Sequence, residues 1–132
     1  MKAIIQSEFG HADVLSYSEI EIPKIGDAEC LIKVAYTSVN YADIKKRIGN
    51  KGKGNFPLIL GLDTAGTIVE VAPDSPFSIG DRVIAFPKGG SYAEYVSANE
   101  KLVFKIPDTL SFEQAAAMPT VSILSYMLLH EI

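Results

Sequence analysis

The chain has 132 residues, with 12 Lys and Arg against 16 Asp and Glu, a net charge of −4 and a single cysteine, Cys30. One core is expected at this length, because domains commonly contain about 100–150 residues. The lone cysteine excludes a disulfide scaffold and a cysteine-rich zinc site, and the acidic balance argues against nucleic-acid binding. No apolar run approaches the roughly 20 residues of a membrane span, and no signal-peptide core develops. The composition predicts a soluble, cytoplasmic chain.

Most of the first 105 residues have the pattern of short β-strands separated by turn residues. The region from 30 to 39 alternates, with Leu31 and Lys33 on one face and Ile32 and Val34 on the other. The near-regular spacing of the strands favours a small barrel or sandwich. The predicted strands are residues 2–7, 30–39, 64–72, 82–86, 92–97 and 102–105.

One interruption of the β pattern, residues 40–49, is predicted to be a two-turn helix. Asn40 is a favourable N-cap, Asp43 suits the electropositive first turn, and Gly49 can terminate the helix. The glycine- and lysine-rich stretch from 49 to 55 matches neither the dinucleotide-binding nor the P-loop pattern. It is predicted to be a mobile surface loop, and a gating role over a site stays open.

A second helix is predicted to begin at Ser111, where the sequence SFEQ matches a capping box. Pro119 predicts a kink or a fresh helix start near Thr120. Residues 121–132 are apolar and helix-like, and they end without a Gly, Asn or Pro that would stop a helix. We therefore expect the chain to be the N-terminal part of a longer protein.

The run from Gly61 to Gly66 (GLDTAG) leads into a predicted strand. Its two glycines permit either positive φ or the close approach of another backbone or a ligand. Asp63 either orients a neighbouring group or is an ordinary turn carboxylate. His11 and His130 lie too far apart to indicate a metal site or a catalytic dyad, and the sequence contains no G-x-S-x-G nucleophile motif.

Taken together, five segments resemble the N-terminal, GroES-like domain of the medium-chain dehydrogenase/reductase superfamily, and most closely its zinc-independent quinone oxidoreductase branch, the relatives of ζ-crystallin. The resemblance implies a mainly β fold with short helices, a partly open GroES-like β-barrel over residues 1–110. Residues 111–132 would start a linker helix that leads into a Rossmann nucleotide-binding domain outside this chain. The segments are 38–43 (SVNYAD), 57–66 (PLILGLDTAG), 80–83 (GDRV), 89–96 (GGSYAEYV) and 111–119 (SFEQAAAMP).

The same resemblance implies a site without metal. Zinc alcohol dehydrogenases carry Cys where Asn40 stands, and Gly-His-Glu where this chain has Gly61-Leu62-Asp63. Amide and isobutyl side chains supply neither the thiolate nor the imidazole that catalytic zinc prefers. Asp63 alone would hold a cation only weakly.

The activity that the resemblance implies is hydride transfer from NADPH to a quinone or to the β-carbon of an enone. Without a metal, hydrogen-bond donors and exclusion of water would stabilise the charge that develops on the substrate oxygen. NADP(H) would be bound mainly by the absent Rossmann domain, so this chain alone is predicted to be inactive. The full-length protein is expected to be a homodimer, and the fragment could associate with itself.

The resemblance also suggests site residues. Asn40 would donate its amide to the nicotinamide or to the substrate oxygen, which is compatible with its role as a helix cap. Tyr41 and Asp43 are further catalytic candidates, although Asp43 could equally stabilise the helix start. Tyr92 and Asp63 are candidates for the substrate side of the site.

One position departs from the family pattern. Relatives usually have a small-Gly-Leu-Thr run shortly after the Pro119-like position, with the Thr contacting the cofactor. This chain has Leu124 there, which lacks a hydroxyl, and Ser122 or Ser125 could substitute.

Two alternatives remain open. A free-standing GroES-like binding or assembly module would use a mobile loop with an apolar anchor, which residues 49–60 faintly imitate. The apolar helix from Ser111 onward has no counterpart in that role. A family member that has lost catalysis and serves as an interaction scaffold is the other alternative.

Overall fold

The computed structural model describes residues 1–49 and 54–130, and within these ranges it contains eight β-strands and three α-helices. Two short 3₁₀ turns, Ala12–Val14 and Glu100–Leu102, precede strands. The strands are β1 (Lys2–Gln6), β2 (Leu15–Glu19), β3 (Glu29–Thr37), β4 (Leu58–Ile59), β5 (Thr64–Val71), β6 (Arg82–Ala85), β7 (Tyr95–Asn99) and β8 (Val103–Lys105). The helices are α1 (Tyr41–Arg47), α2 (Phe112–Ala117) and α3 (Pro119–His130).

The strands form two antiparallel sheets, one in the order β2-β1-β4 and the other in the order β7-β3-β5-β6-β8. The segment between Ser91 and β7 joins them. Tyr92 O accepts from the backbone of Ile4 at 2.8 Å, and Glu94 O accepts from the backbone of Val34 at 2.9 Å. The main chain therefore bonds to both sheets within a few residues, which gives the predicted partly open barrel.

The main core lies on one face of the larger sheet. Ile32, Ile68 and Val83 are fully buried there, together with Cys30. A smaller core forms where α2 covers the sheet with Ala115 and its neighbour Ala116. Small side chains allow the helix to approach the strands closely, so α2 belongs to the packed body of the fold.

Five of the predicted strands match observed strands to within two residues at each end. The predicted strand at 92–97 is displaced, because regular pairing begins only at Tyr95. Residues 91–94 instead cross between the sheets, where Ala93 makes an isolated bridge to Ala3. Strands β2 and β4 were not predicted. β4 has only two residues, and β2 (LSYSE) is a mostly exposed edge strand whose apolar pattern is weak.

The helix predictions are confirmed in position, and the first two helices begin where their caps predict. Asn40 precedes α1, and Gly49 follows it with φ of 87°. Ser111 caps α2 through a capping box, in which Gln114 N donates to Ser111 Oγ at 3.2 Å. α3 is a fresh helix that begins at Pro119 itself. Of the predicted loop at 49–55, residues 50–53 lie outside the described residues, as do residues 131 and 132.

Both explanations for the glycines of the GLDTAG run are correct, each at a different residue. Gly61 has φ of 103°, and a Cβ there would lie 2.0 Å from Ser91 Oγ. At Gly66, a Cβ would lie 2.2 Å from the carbonyl oxygen of Lys33 on the neighbouring strand β3. The run thus lets two backbones approach closely and brings Asp63 to the end of the barrel.

None of the helices in the two described ranges has the length and hydropathy needed to cross a membrane.

Candidate functional site

Asp63 directly precedes β5 and has an exposed fraction of only 1%. Its Oδ1 accepts from Ser38 Oγ at 2.6 Å, and its Oδ2 accepts from Asn40 Nδ2 at 3.3 Å and from Thr120 Oγ1 at 2.5 Å. Burial of a carboxylate costs free energy unless its oxygens accept hydrogen bonds. These neutral donors come from separate segments of the chain, so Asp63 ties those segments together.

Asp43 is a second buried carboxylate, in the first turn of α1, with 2% of its surface exposed. Its Oδ2 accepts from Asn40 N at 2.9 Å and from Tyr92 OH at 3.0 Å. Its Oδ1 accepts from Gly61 N at 3.2 Å. Asp43 therefore stabilises the helix start and also holds a tyrosine and the glycine turn, while its catalytic role stays a prediction.

Asn40 connects the two carboxylates. Its backbone N–H donates to Asp43, while its side-chain Nδ2 donates to Asp63 and, at 3.2 Å, to Ser38 Oγ. Since Ser38 gives its own proton to Asp63, its oxygen is free to accept. Both protons of the Asn40 amide are thus directed at protein oxygens. Donation to a nicotinamide or substrate oxygen stays a prediction, and it requires one of these bonds to open.

We name this set of residues the Asp43–Asp63 cluster. It comprises Ser38, Asn40, Asp43, Gly61, Asp63, Tyr92 and Thr120.

Tyr92 links the cluster to a large concave surface. The residue lines a groove of about 770 Å³ between the two sheets, together with apolar residues such as Ile4 and Val34. Burial raises the pKa of the Tyr92 phenol, and the negative charge of Asp43 raises it further. The hydroxyl therefore stays protonated and donates. A role of Tyr92 on the substrate side of the site stays a prediction, and the groove is the surface on which it would act.

Thr120 links the cluster to a second concave surface. It is half-buried in the first turn of α3 and lines a cavity of about 350 Å³ whose walls are otherwise apolar. We call it the Leu62 cavity. Its lining residues are Leu62, Phe86, Pro119, Thr120, Ile123, Leu124 and Met127.

The remaining predicted residues lie apart from these bonds. Tyr41 is 70% exposed, with its ring below the Lys45 ammonium, 5.1 Å from the ring centroid. Ser122 lies in a different apolar depression, lined also by Tyr126, and Ser125 Oγ donates to the carbonyl of its own helix at 2.7 Å. Neither serine lines the Leu62 cavity.

The chemistry of the cluster does not match a transition-metal site. Within residues 1–49 and 54–130, no three His, Cys, Asp or Glu side chains are grouped closely enough to hold an ion. The cluster offers carboxylate, amide and hydroxyl groups, whereas catalytic zinc sites contain imidazole or thiolate ligands beside any carboxylate.

Three cluster residues, Ser38, Gly61 and Thr120, were not predicted as site residues, although Gly61 stands in the GLDTAG run. Ser38 lies within the SVNYAD segment, so its position beside Asn40 was a usable signal. Thr120 is separated from Asp63 by 57 residues, and no local pattern marks it.

The chain matches the model of the family described as alcohol dehydrogenase GroES-like domain over residues 26–108. It is 37% identical over 135 residues to the mouse (Mus musculus) synaptic vesicle membrane protein VAT-1 homolog-like, covering 100% of this chain and 32% of that protein. It is 35% identical to the chloroplastic NADPH-dependent alkenal/one oxidoreductase of Arabidopsis thaliana, covering 90% of this chain and 34% of the relative.

A solved structure, the Escherichia coli quinone oxidoreductase complexed with NADPH, superimposes with a TM-score of 0.95 at 25% identity. The match covers 99% of this chain and 41% of that one. The chain thus spans about a third of the length of the curated relatives. It belongs to the alcohol dehydrogenase GroES-like domain family, as the N-terminal domain of the medium-chain dehydrogenase/reductase superfamily, whose members related to this chain include quinone oxidoreductases.

Proposed function

We propose that this chain forms the substrate-side wall of a zinc-independent, NADPH-dependent oxidoreductase that reduces a quinone or an enone. One observation carries the proposal: the buried Asp43–Asp63 cluster links an apolar cavity, through Thr120, to a groove, through Tyr92. Two relatives support the choice of cofactor and substrate class. One is the quinone oxidoreductase solved with NADPH, and the other is the NADPH-dependent alkenal/one oxidoreductase.

The Leu62 cavity suits the ring end of the dinucleotide. Its walls are apolar side chains, with Thr120 as the hydroxyl-bearing residue, and a flat aromatic ring packs well on such a surface. NADP(H) supplies the hydride when bound. The chain's own part is to orient the ring against Leu62, Phe86 and Met127. The phosphates would need the glycine-rich turn that this sequence lacks, so the nucleotide-binding domain outside residues 1–132 would hold them.

Asn40 and Asp43 act as positioning residues in this proposal, because they hold each other and the neighbouring turn. Tyr41 is adjacent to Asn40 and exposed, so its ring is open to contact with a substrate. The zinc-independent reaction then relies on hydrogen bonds and dehydration, which can supply a large share of the stabilisation of a developing oxyanion.

We further propose that the complete protein is a cytoplasmic homodimer that acts on a small molecule, and that the 132-residue chain alone has no activity. The alternative of a free-standing binding module predicts that no form of the gene product oxidises NADPH.

The test is NADPH oxidation by the complete gene product, with a quinone in one arm and an enone in the other, before and after treatment with a chelator. We expect turnover that the chelator leaves unchanged. An activity that is lost with the chelator and restored by zinc would refute the zinc-independent site, and no oxidation with either substrate would favour the binding module.

A matched pair of variants tests the cluster in the same assay. Asn40→Ala disconnects Asp43 from Asp63 and is expected to lower kcat by about tenfold or more. Thr109→Ala removes an exposed hydroxyl that lies outside the cluster and outside the 49–55 loop, and it is expected to leave kcat unchanged. Equal effects of the two variants would remove Asn40 from the proposal.

A further inference from the structure

The last turn of α1 carries three cationic side chains, in a chain whose net charge is −4. Lys45, Lys46 and Arg47 lie in this turn, and no Asp or Glu occurs between residues 44 and 62. Cations at the C-terminal end of a helix favour its dipole, but that effect does not require a neighbourhood without acidic residues. A local excess of positive charge therefore lies within two helical turns of Asn40, where the Asp43–Asp63 cluster begins.

The cations of this turn form no ion pair within residues 1–49 and 54–130. The ion pairs of these ranges join Lys105 to Asp81 and Arg82 to Asp108. Asp43, the acidic residue of α1, is buried and accepts hydrogen bonds from neutral donors instead. The positive charge at the end of α1 is therefore left for an anion that comes from solution.

Two of the three cations extend toward the protein. Arg47 is attached to the neighbouring loop, because its Nε donates to Gly10 O at 3.4 Å. Lys46 extends toward Gly89, and its Nζ lies 3.8 Å from the position that a Cβ of this glycine would take. These two residues add to the positive potential around α1 without reaching the exposed part of the candidate site.

Lys45 lies beside the exposed residue of the candidate site. Its Nζ is 5.1 Å from the centroid of the Tyr41 ring, and most of the Tyr41 side chain is open to solvent. The two residues are four positions apart and so share one face of α1. This face combines an aromatic ring with a positive charge, directly after Asn40 in the sequence.

The cluster itself does not attract an anion. Asp43 and Asp63 are its charged residues, and both protons of the Asn40 amide are directed at protein oxygens. Two buried carboxylates repel a negative ligand at short range. An anionic ligand at this site therefore depends on the cation next to Tyr41.

We propose that Lys45 is a specificity-determining residue, which selects substrates that carry an anionic group beside their conjugated carbonyl system. Tyr41 contacts the conjugated part, and the Lys45 ammonium pairs with the anion. Carboxylate and phosphate groups share this chemistry. The inference rests on the proposed function, because it states which quinones or enones the site prefers.

Binding is measured without turnover, by NMR titration of the 132-residue chain, following the backbone amides of Tyr41 and Lys45. One arm compares 4-(3-oxobut-1-enyl)benzoic acid with its methyl ester, so that the enone stays the same and the charge is removed. The other arm compares the phosphate ester of 4-(4-hydroxyphenyl)but-3-en-2-one with the corresponding methyl ether. Each titration is repeated at low and at high salt.

We expect the anion to bind about three- to tenfold more tightly than its neutral partner, the value of one net charge-assisted contact at an exposed position. The ratio should fall at high salt, because salt screens exposed charges. Lys45→Gln should abolish the ratio, and Lys45→Arg should retain it. Lys101→Gln is the matched control, since Lys101 is an exposed lysine away from α1, and it should leave the ratio unchanged.

These variants separate recognition from a purely structural role. If Lys45 served only the helix dipole, Lys45→Gln would lower the stability of α1 and leave the ratio unchanged. General attraction does not produce the ratio either, because the chain is acidic overall and repels anions at long range. A ratio in one pair alone would assign the anion as carboxylate or as phosphate, and ratios in both pairs would assign either group.

Equal affinities within both pairs for the wild-type chain would overturn the inference, and this result needs no variant. A ratio that survives Lys45→Gln, or that disappears in Lys101→Gln, would also overturn it. If the complete gene product oxidises NADPH but the chain shows no ratio, the proposed function stands and the inference fails. If no oxidation occurs while the ratio and its loss in Lys45→Gln are observed, the proposed function fails and the anion specificity of Lys45 stands.

Discussion

The Tyr92 hydroxyl donates to Asp43 Oδ2 at 3.0 Å, across 49 residues of sequence, and so fixes the crossing segment between the sheets to the start of α1. The bond matters for stability because Asp43 is 2% exposed and depends on its donors for the solvation that water would otherwise supply. The residues of the candidate site therefore also stabilise the barrel.

Replacing Tyr92 with Phe should destabilise the chain by about 1–3 kcal/mol, because a buried carboxylate loses one hydrogen-bond donor while the ring packing is retained. Urea denaturation measures the change in the free energy of unfolding. Tyr41→Phe is the matched control, since the Tyr41 side chain is 70% exposed, and it should change the free energy of unfolding by less than about 0.5 kcal/mol. Equal losses for the two variants would contradict the role of the Tyr92 bond.

The same bond predicts a pH dependence at high pH. The pKa of Tyr92 is raised from its ordinary value of 10.0 by burial and by Asp43. Above about pH 10 the unfolded chain loses this proton while the folded chain retains it, so stability is complete below pH 10 and falls as the pH rises. Urea denaturation at a series of pH values should show a smaller alkaline loss for Tyr92→Phe than for the wild type. Parallel profiles for the two proteins would contradict the shift.

The local parts of the fold could be predicted from the sequence, because their causes lie within a few residues. The capping box at Ser111 and the cap at Asn40 depend on side chains three positions away, and both helices begin where those residues predict. The resemblance to known motifs brought Asn40, Asp43 and Asp63 into one candidate site, and the structure places them in contact.

Non-local pairing explains what was missed. Residues 92–94 alternate as a strand would, but their hydrogen-bond partners lie on two different sheets, so no regular ladder forms before Tyr95. The bond between Thr120 and Asp63 depends on how α3 is placed after Pro119. No periodicity in the sequence predicts that placement. The direction of the Asn40 amide could not be predicted either, because it depends on the contact with Asp63.

Two glycines with positive φ should respond differently to substitution by Ala. Gly61→Ala places a Cβ 2.0 Å from Ser91 Oγ, in addition to the strain of its φ of 103°. Gly80 has φ of 94°, but a Cβ there meets nothing within 4 Å. We expect a loss of about 1–2 kcal/mol for Gly80→Ala from backbone strain alone, and of about 2–5 kcal/mol for Gly61→Ala from strain and overpacking together.

The measurement for this pair is again urea denaturation, and the heteronuclear NMR spectrum of Gly61→Ala should show its largest shifts at Ser91 and Asp43. A smaller loss for Gly61→Ala than for Gly80→Ala would show that the turn relaxes freely and that its close packing does not hold Asp43.

Cys30 provides a probe of the main core. The side chain is fully buried, and this burial raises the pKa of its thiol, so the reactive thiolate is scarce in the folded chain. Thiol reagents at pH 8 should therefore modify the folded chain at least about a hundredfold more slowly than the chain unfolded in urea, because modification requires opening of the core. If opening is global, the less stable Gly61→Ala variant should react faster, by about tenfold for each 1.4 kcal/mol of lost stability. Rapid modification of the wild type under native conditions would contradict the packing of β3 against β5 and β7 described above.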